Sequence, residues 1–198
     1  MVVQKDQIRD NIISVAAKIF SRFGYRKTTM EEIAMASRKG KSSIYYYFNS
    51  KEDIFRAVVE REAEELKKDL KKAIAEVDNP IEQLKKFILF RMHKLKTLTN
   101  FHAALKADYL SHLEFIENIR HEYDEDEIAI VTKILQSGIE RKNFVIDDSE
   151  LVAVALVTAM KGLEIPLFIK KEYGRIEDRL DNLMNFLFYG LVRCPERK

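Results

Sequence analysis

The sequence predicts an all-α protein, on three observations. Only six glycines and three prolines occur among 198 residues, too few turn residues for a many-stranded sandwich or barrel. Apolar residues recur every three to four positions over long stretches, the period of a helix with one buried face. Hydroxyl residues followed three positions later by a carboxylate recur where such helices would start. At this length the chain holds one or two domains with room for a sizeable core.

The first helix is read from Asp6 to Phe23, where Ile8, Ile12, Val15, Ala16, Ile19, Phe20 and Phe23 fall on one face. Gly24 ends it, because glycine takes the left-handed conformation that closes a helix. Thr29 and Glu32 have the spacing of a capping box and open a short second helix, which stops near Ala36 before the turn Ser37-Arg38-Lys39-Gly40. A third helix carries Lys41 to Phe48, anchored by Ile44 and Phe48 four residues apart. Ser50 and Asp53 repeat the cap logic for a long fourth helix, about 51–77. Its opposite charges between Glu60 and Lys72 suit pairing at i,i+4, and it reads as a connector.

Asn79-Pro80 marks the start of a larger helical unit, with helices expected near 81–98, 101–111, 113–119, 122–142, 148–171 and 176–193. The acidic run Glu122 to Glu127 reads as a helix start. The last two helices are apolar on several sides, through residues such as Leu151, Val154, Leu156 and Met160, then Leu183, Phe186, Leu187 and Leu191. Such helices are buried centrally or against a second chain. The expected division is therefore 1–50 and 51–198, with helix 51–77 as connector.

Composition and motifs exclude several classes. Cys194 is the sole cysteine, so no internal disulfide forms. The N-terminus lacks a signal-type apolar stretch, and no run approaches the roughly 18 apolar residues of a membrane span; a soluble, cytoplasmic protein is expected. His93, His102, His112 and His121 show no tight ligand spacing and read as structural or surface residues, so no metal site is expected. There is no phosphate-binding glycine loop, nucleophile elbow or paired catalytic carboxylate. No catalytic residue and no cofactor are expected, and the chain reads as a non-enzyme.

The net charge of +2 conceals an asymmetry. Residues 1–56 hold 11 basic and 6 acidic residues, a charge of +5, and the remainder carries −3. Within that basic end, two short helices joined by a four-residue turn form a helix-turn-helix arrangement. Lys41, Ser42 and Ser43 supply short donors at the start of the second helix, where base edges are approached. Tyr45, Tyr46 and Tyr47 spread over 200° of helix at 100° per residue, so at least one phenol faces outward. Alternatively, Tyr45 or Tyr46 packs on the first helix and Tyr47 is only solvated. Thr29 and Lys51 are placed to grip phosphates on either side of a groove.

Gly24, Thr28-Thr29, Ile33-Ala34, Ile44-Tyr45-Tyr46-Tyr47-Phe48 and Lys51 resemble, in order and spacing, the DNA-binding domain of the TetR family. A weaker similarity runs from Leu135 to Phe144 and from Asp147 to Gly162. The resemblance implies an N-terminal three-helix helix-turn-helix domain and a C-terminal helical ligand-binding and dimerisation domain. It implies a homodimer on a pseudopalindromic double-stranded DNA operator, usually repressing, that responds to a small-molecule effector. By position, Thr29 and Lys51 resemble the family's phosphate contacts, Lys41, Ser42 and Ser43 the leading residues of its recognition helix, and Tyr45 and Tyr47 its aromatic contacts. The turn departs from the usual Ala-Gly-Val-Ser. Ser37-Arg38-Lys39-Gly40 lacks the turn glycine and the buried valine; Gly40 is expected to relax the turn instead, and Arg38 and Lys39 add charge beside the DNA face.

An effector pocket is expected between helices of the second unit. Its candidate lining is Phe87, Phe90, Arg91, Phe101, His102, Tyr109, Phe115, Met160, Glu164 and Phe168, with Arg91 and Glu164 either meeting the ligand or forming a structural pair. The dimer contact is expected on helices 148–171 and 176–193. The competing expectation is a helical DNA-binding architectural or interaction protein without an effector.

Overall fold

A computed structural model describes residues 2–95, 100 and 114–164. Among them lie seven helices and no strand: α1 (Val2–Phe23), α2 (Met30–Ala36), α3 (Lys41–Tyr47), α4 (Lys51–Ala75), α5 (Pro80–Leu95), α6 (Glu114–Glu140) and α7 (Ser149–Glu164). None of the helices among the described residues is long and apolar enough to cross a membrane. The helices expected at 101–111 and 176–193, and the end of the one expected at 148–171, lie outside the described residues. The chain forms two compact units, residues 1–65 with 98–119 and residues 66–97 with 120–198.

In the first unit, local chemistry sets the helix ends. Gly24 takes φ 79° and its amide donates to the Phe20 carbonyl at 2.8 Å, closing α1 as expected. The buried Thr28 hydroxyl donates to the Gly24 carbonyl at 2.9 Å. Phe20, Phe55 and the Tyr25 ring form an aromatic cluster with centroids 4.9 to 6.0 Å apart. Around it, Ile12, Ile13 and Ala16 of α1 are buried, as are Ile33 of α2, Ile44 of α3 and Ile54 and Val58 of α4. Two face assignments change. Phe23 is 53% exposed while Ile13 is buried, because α1 buries the row 13, 16, 20, spaced three and four apart, beside Ile12. Asn100, itself buried, donates through its side-chain amide to Glu62 Oε1 at 2.7 Å and to the Ala17 carbonyl at 3.0 Å. It ties α1 to α4.

The core of the second unit collects Leu70 and Ile74 of α4, Leu84, Phe87, Ile88 and Met92 of α5, Val131, Ile134 and Leu135 of α6, and Leu156, Val157 and Met160 of α7. Asn79 starts α5, its Oδ1 accepting from the Ile81 and Glu82 amides at 2.9 and 3.3 Å. The expected break between 119 and 122 is absent; α6 is one helix over Glu114–Glu140. Its acidic run is interior, not a helix start, because no breaker interrupts it and three of its carboxylates meet cations on other helices. Asp126 pairs with Lys67, Glu127 with Arg91 and Asp124 with Lys161, each at 2.5 Å. Two charges of α4 also pair across helices: Lys67 with α6, and Asp69 with Lys94 of α5 at 2.7 Å.

The end of α6 is closed by two backbone bonds, from the Lys142 amide to the Ile139 carbonyl (3.0 Å) and from the Asn143 amide to the Gly138 carbonyl (2.7 Å). Lys142 stands at φ 59°, the left-handed position of a Schellman motif. Phe144 then folds back on Gly138 so closely that a Cβ there would lie 2.1 Å from Phe144 Cδ2.

Candidate nucleic-acid interface and helical core

The helix-turn-helix is built by α2, the turn 37–40 and α3. Thr29 caps α2, its hydroxyl accepting from the Glu32 amide at 3.2 Å while its own amide and hydroxyl donate to Glu32 Oε2 at 2.8 and 3.0 Å. The capping box is complete, so a phosphate approaching this end competes with Glu32 for the Thr29 hydroxyl. Ser37 is buried, its hydroxyl donating to the Ile33 carbonyl at 2.7 Å.

The turn corrects one expectation. Gly40, at φ −66° and ψ 153°, occupies backbone that any residue adopts, and does not relax the turn. The left-handed position is taken by Arg38, φ 56°. The Arg38 amide donates to the Met35 carbonyl at 3.1 Å and the Lys39 amide to the Ala34 carbonyl at 2.9 Å, the same Schellman closure as at α6. Lys39 stands half-buried and Arg38 exposed.

Along α3, Ile44 is fully buried and Phe48 nearly so, which turns Lys41, Ser42, Tyr45 and Tyr46 outward and leaves Ser43 and Tyr47 half-buried. Tyr45 is 44% and Tyr46 67% exposed. Tyr46 meets Tyr47 edge-on with centroids 5.1 Å apart, and Lys5 of α1 lies 4.9 Å from the Tyr46 ring centre. Lys41 pairs with Glu31 at 2.5 Å; that hydrogen bond holds the Glu31 carboxyl below its ordinary pKa and raises the Lys41 ammonium. Lys51, at the start of α4, donates to the Tyr25 carbonyl at 2.9 Å with its ammonium 4.4 Å from the Tyr25 ring centre. Burial pushes its pKa down and raises that of the Tyr25 phenol.

The effector candidates separate. Phe87 and Met160 are core residues of the second unit. Arg91 and Glu127, each 1% exposed, form a buried ion pair through Nε and Oε1, with the Arg91 guanidinium 5.9 Å from the Tyr123 ring centre. Glu127, the partner that sequence reasoning missed, lies 36 residues from Arg91; the only signal for it was an acidic residue in an otherwise apolar helix stripe. Phe90 is half-buried and lines an open groove of about 740 Å³ on α5, with Val77, Leu89, Lys86, His93 and Lys94. Phe115 falls in the first turn of α6 and Glu164 is the last residue of α7. Phe101, His102, Tyr109 and Phe168 lie outside the described residues.

These features define a helix-turn-helix module followed by a separate helical body. The family model for bacterial regulatory proteins of the tetR family matches residues 12–58, the stretch that holds the capping box, the turn, α3 and Lys51. The HTH-type transcriptional repressor NicS of Pseudomonas putida is 42% identical over 57 residues, 29% of this chain and 27% of that protein. The HTH-type transcriptional regulator QacR of Staphylococcus aureus is 34% identical over 65 residues, 33% of this chain and 35% of QacR. The matched stretch therefore spans between about a quarter and a third of these curated relatives. Over nearly the whole length, the crystal structure of a transcriptional regulator from Cytophaga hutchinsonii superposes with a TM-score of 0.79 at 26% identity, covering 92% of this chain and 97% of that one. By sequence over residues 12–58 and by fold over nearly its whole length, the chain is similar to bacterial transcriptional regulators of the tetR family.

Proposed function

We propose that the chain works as a homodimeric repressor, in which two helix-turn-helix modules read the half-sites of a pseudopalindromic operator and a small effector held in the helical body loosens their grip. The observation that carries this reading is α3: anchored by Ile44 and Phe48, it turns a polar and aromatic edge of Lys41, Ser42, Tyr45 and Tyr46 to solvent inside the domain that matches a family of DNA-binding regulators. Ser42, Ser43 and Lys41 are assigned to base edges and nearby phosphates, Tyr45, Tyr46 and Tyr47 to the groove walls, and Thr29, Lys39 and Lys51 to the backbone. For Lys41 and Lys51 the contact requires exchanging an internal partner for a phosphate.

Dimerisation is supported by α7. Its Leu151 (64% exposed), Val154 (39% exposed), Ala155 and Ala159 form an uncovered apolar row opposite the buried Ala153, Leu156, Val157 and Met160, as a self-complementary two-fold contact requires. The effector reading is supported by a charged pair set into the core beside Phe87. A ligand favouring the DNA-incompetent arrangement by about 1–3 kcal/mol weakens operator binding about five- to 150-fold, and α4, shared by both units, is the proposed lever. The test is selection from a random duplex pool with purified protein at physiological salt. Enrichment of a palindrome is expected. Failure to enrich any sequence with folded protein rejects the reading and favours an architectural DNA-binding or interaction protein.

A further inference from the structure

The turn of the helix-turn-helix holds its backbone in a conformation that its residue does not favour. A Schellman closure needs a left-handed residue just past the helix end, and glycine takes that position without steric cost. This chain places Arg38 there at φ 56° and its glycine two residues later, at Gly40, where φ is −66° and glycine gains nothing. A side chain retained in left-handed backbone is a pointer to what the side chain does.

The cations around the turn differ in how they are held. Lys41 is committed to Glu31 at 2.5 Å and Lys51 to the Tyr25 carbonyl at 2.9 Å. Arg38 is exposed, and its guanidinium makes no hydrogen bond or ion pair among the described residues. A phosphate bound by Arg38 displaces nothing, whereas one bound by Lys41 or Lys51 displaces an internal partner. A bland alternative is that Arg38 serves the carboxyl end of α2, where any cation is favoured. Lys39, adjacent and without positive φ, supplies that charge unstrained.

From this we propose that Arg38 is the phosphate clamp of the turn: the chain gives up an unstrained glycine at the left-handed position to hold a free guanidinium beside the leading end of α3, and that guanidinium takes a backbone phosphate as α3 enters the groove. The planar fork of arginine suits two phosphate oxygens better than an ammonium does. The proposal rests on the DNA-binding reading above and adds to it a cation whose phosphate contact displaces no internal partner. Lys142 provides an internal control, since it stands in the same closure at φ 59° at the end of α6, in the other unit.

The experiment compares wild type, Arg38→Gly and Lys142→Gly in thermal melts and in binding to a labelled duplex of random sequence, titrated between about 50 and 200 mM salt. Relief of the left-handed side chain raises the melting temperature of either variant by about 2–4 °C. Arg38→Gly then binds more weakly, with a salt slope shallower by about 0.9 for each phosphate no longer neutralised, while Lys142→Gly binds as wild type. Arg38→Gly binding with wild-type affinity and slope overturns the clamp and leaves the DNA-binding reading intact. A melt below wild type for Arg38→Gly also overturns it, since Arg38 would then be stabilising the helix end. Absence of duplex binding by folded wild-type protein even at low salt overturns the DNA-binding reading itself, and the clamp with it.

Discussion

Replacing Arg91 by methionine leaves the Glu127 carboxylate without its 2.5 Å partner in a position 1% exposed. Breaking a buried pair from one side costs about 3–5 kcal/mol, because an ion is left desolvated and uncompensated. At about 2–4 °C per kcal/mol for a chain of this size, the melting temperature falls by about 6–20 °C. Glu127→Leu alone produces a fall of the same order. The two substitutions together remove both ions and their desolvation, and an apolar pair of similar volume is close to neutral or stabilising. The double variant is expected within a few degrees of wild type, or above it. Circular dichroism melts of the four proteins at neutral pH close the double-mutant cycle, with a coupling of at least about 2 kcal/mol. A double variant whose loss equals the sum of the singles refutes the argument, for it would mean that each charge is satisfied independently of the other.

Three further outcomes are expected. Gly138→Ala forces a Cβ to within 2.1 Å of the Phe144 ring and costs about 1–3 kcal/mol by overpacking; melts of this variant with and without Phe144→Leu check it, and partial recovery in the double variant is the expected sign. Lys51→Ala lowers the salt slope of duplex binding by about 0.9 per phosphate, and an unchanged slope removes Lys51 from the phosphate-binding set. The carboxyls of Asp69, Glu76 and Asp78 are held below their ordinary values by hydrogen bonds from Lys94, Lys86 and Arg141. They bind fewer protons folded than unfolded, so their stabilisation is present above the ordinary values of 3.8 and 4.5 and is lost as pH falls through the lowered ones. Melting temperature measured from about pH 6 to about pH 2.5 is expected to fall on the acid side, less steeply in high salt because these pairs are exposed and screened.

Much of the first unit was legible in the sequence. The Gly24 stop, the Thr29–Glu32 box and the Ser50–Asp53 cap are settled within three or four residues, because each satisfies backbone groups of its own helix end. The same is true of Ile44 and Phe48, whose spacing alone puts them on one side of α3, whereas the structure decided that Tyr45 and Tyr46 turn outward. The turn was not legible. Four residues without a glycine at the left-handed position gave no local sign that Arg38 would adopt it.

In the second unit the balance reverses. Amphipathic spacing identified α5 and α7 as helices, since periodicity requires no knowledge of a partner; Phe87 and Met160, expected to line an effector pocket, stand in the core of the unit. Spacing could not pair Arg91 with Glu127, nor keep α6 unbroken through an acidic run. Those outcomes depend on which cations α4, α5 and α7 bring against that run. By itself the sequence determined where backbone hydrogen bonds close and which faces are apolar, both properties of a few consecutive residues. The tertiary structure decided which charges are buried together and which backbone is held under strain, because both depend on groups that the chain brings together from far apart.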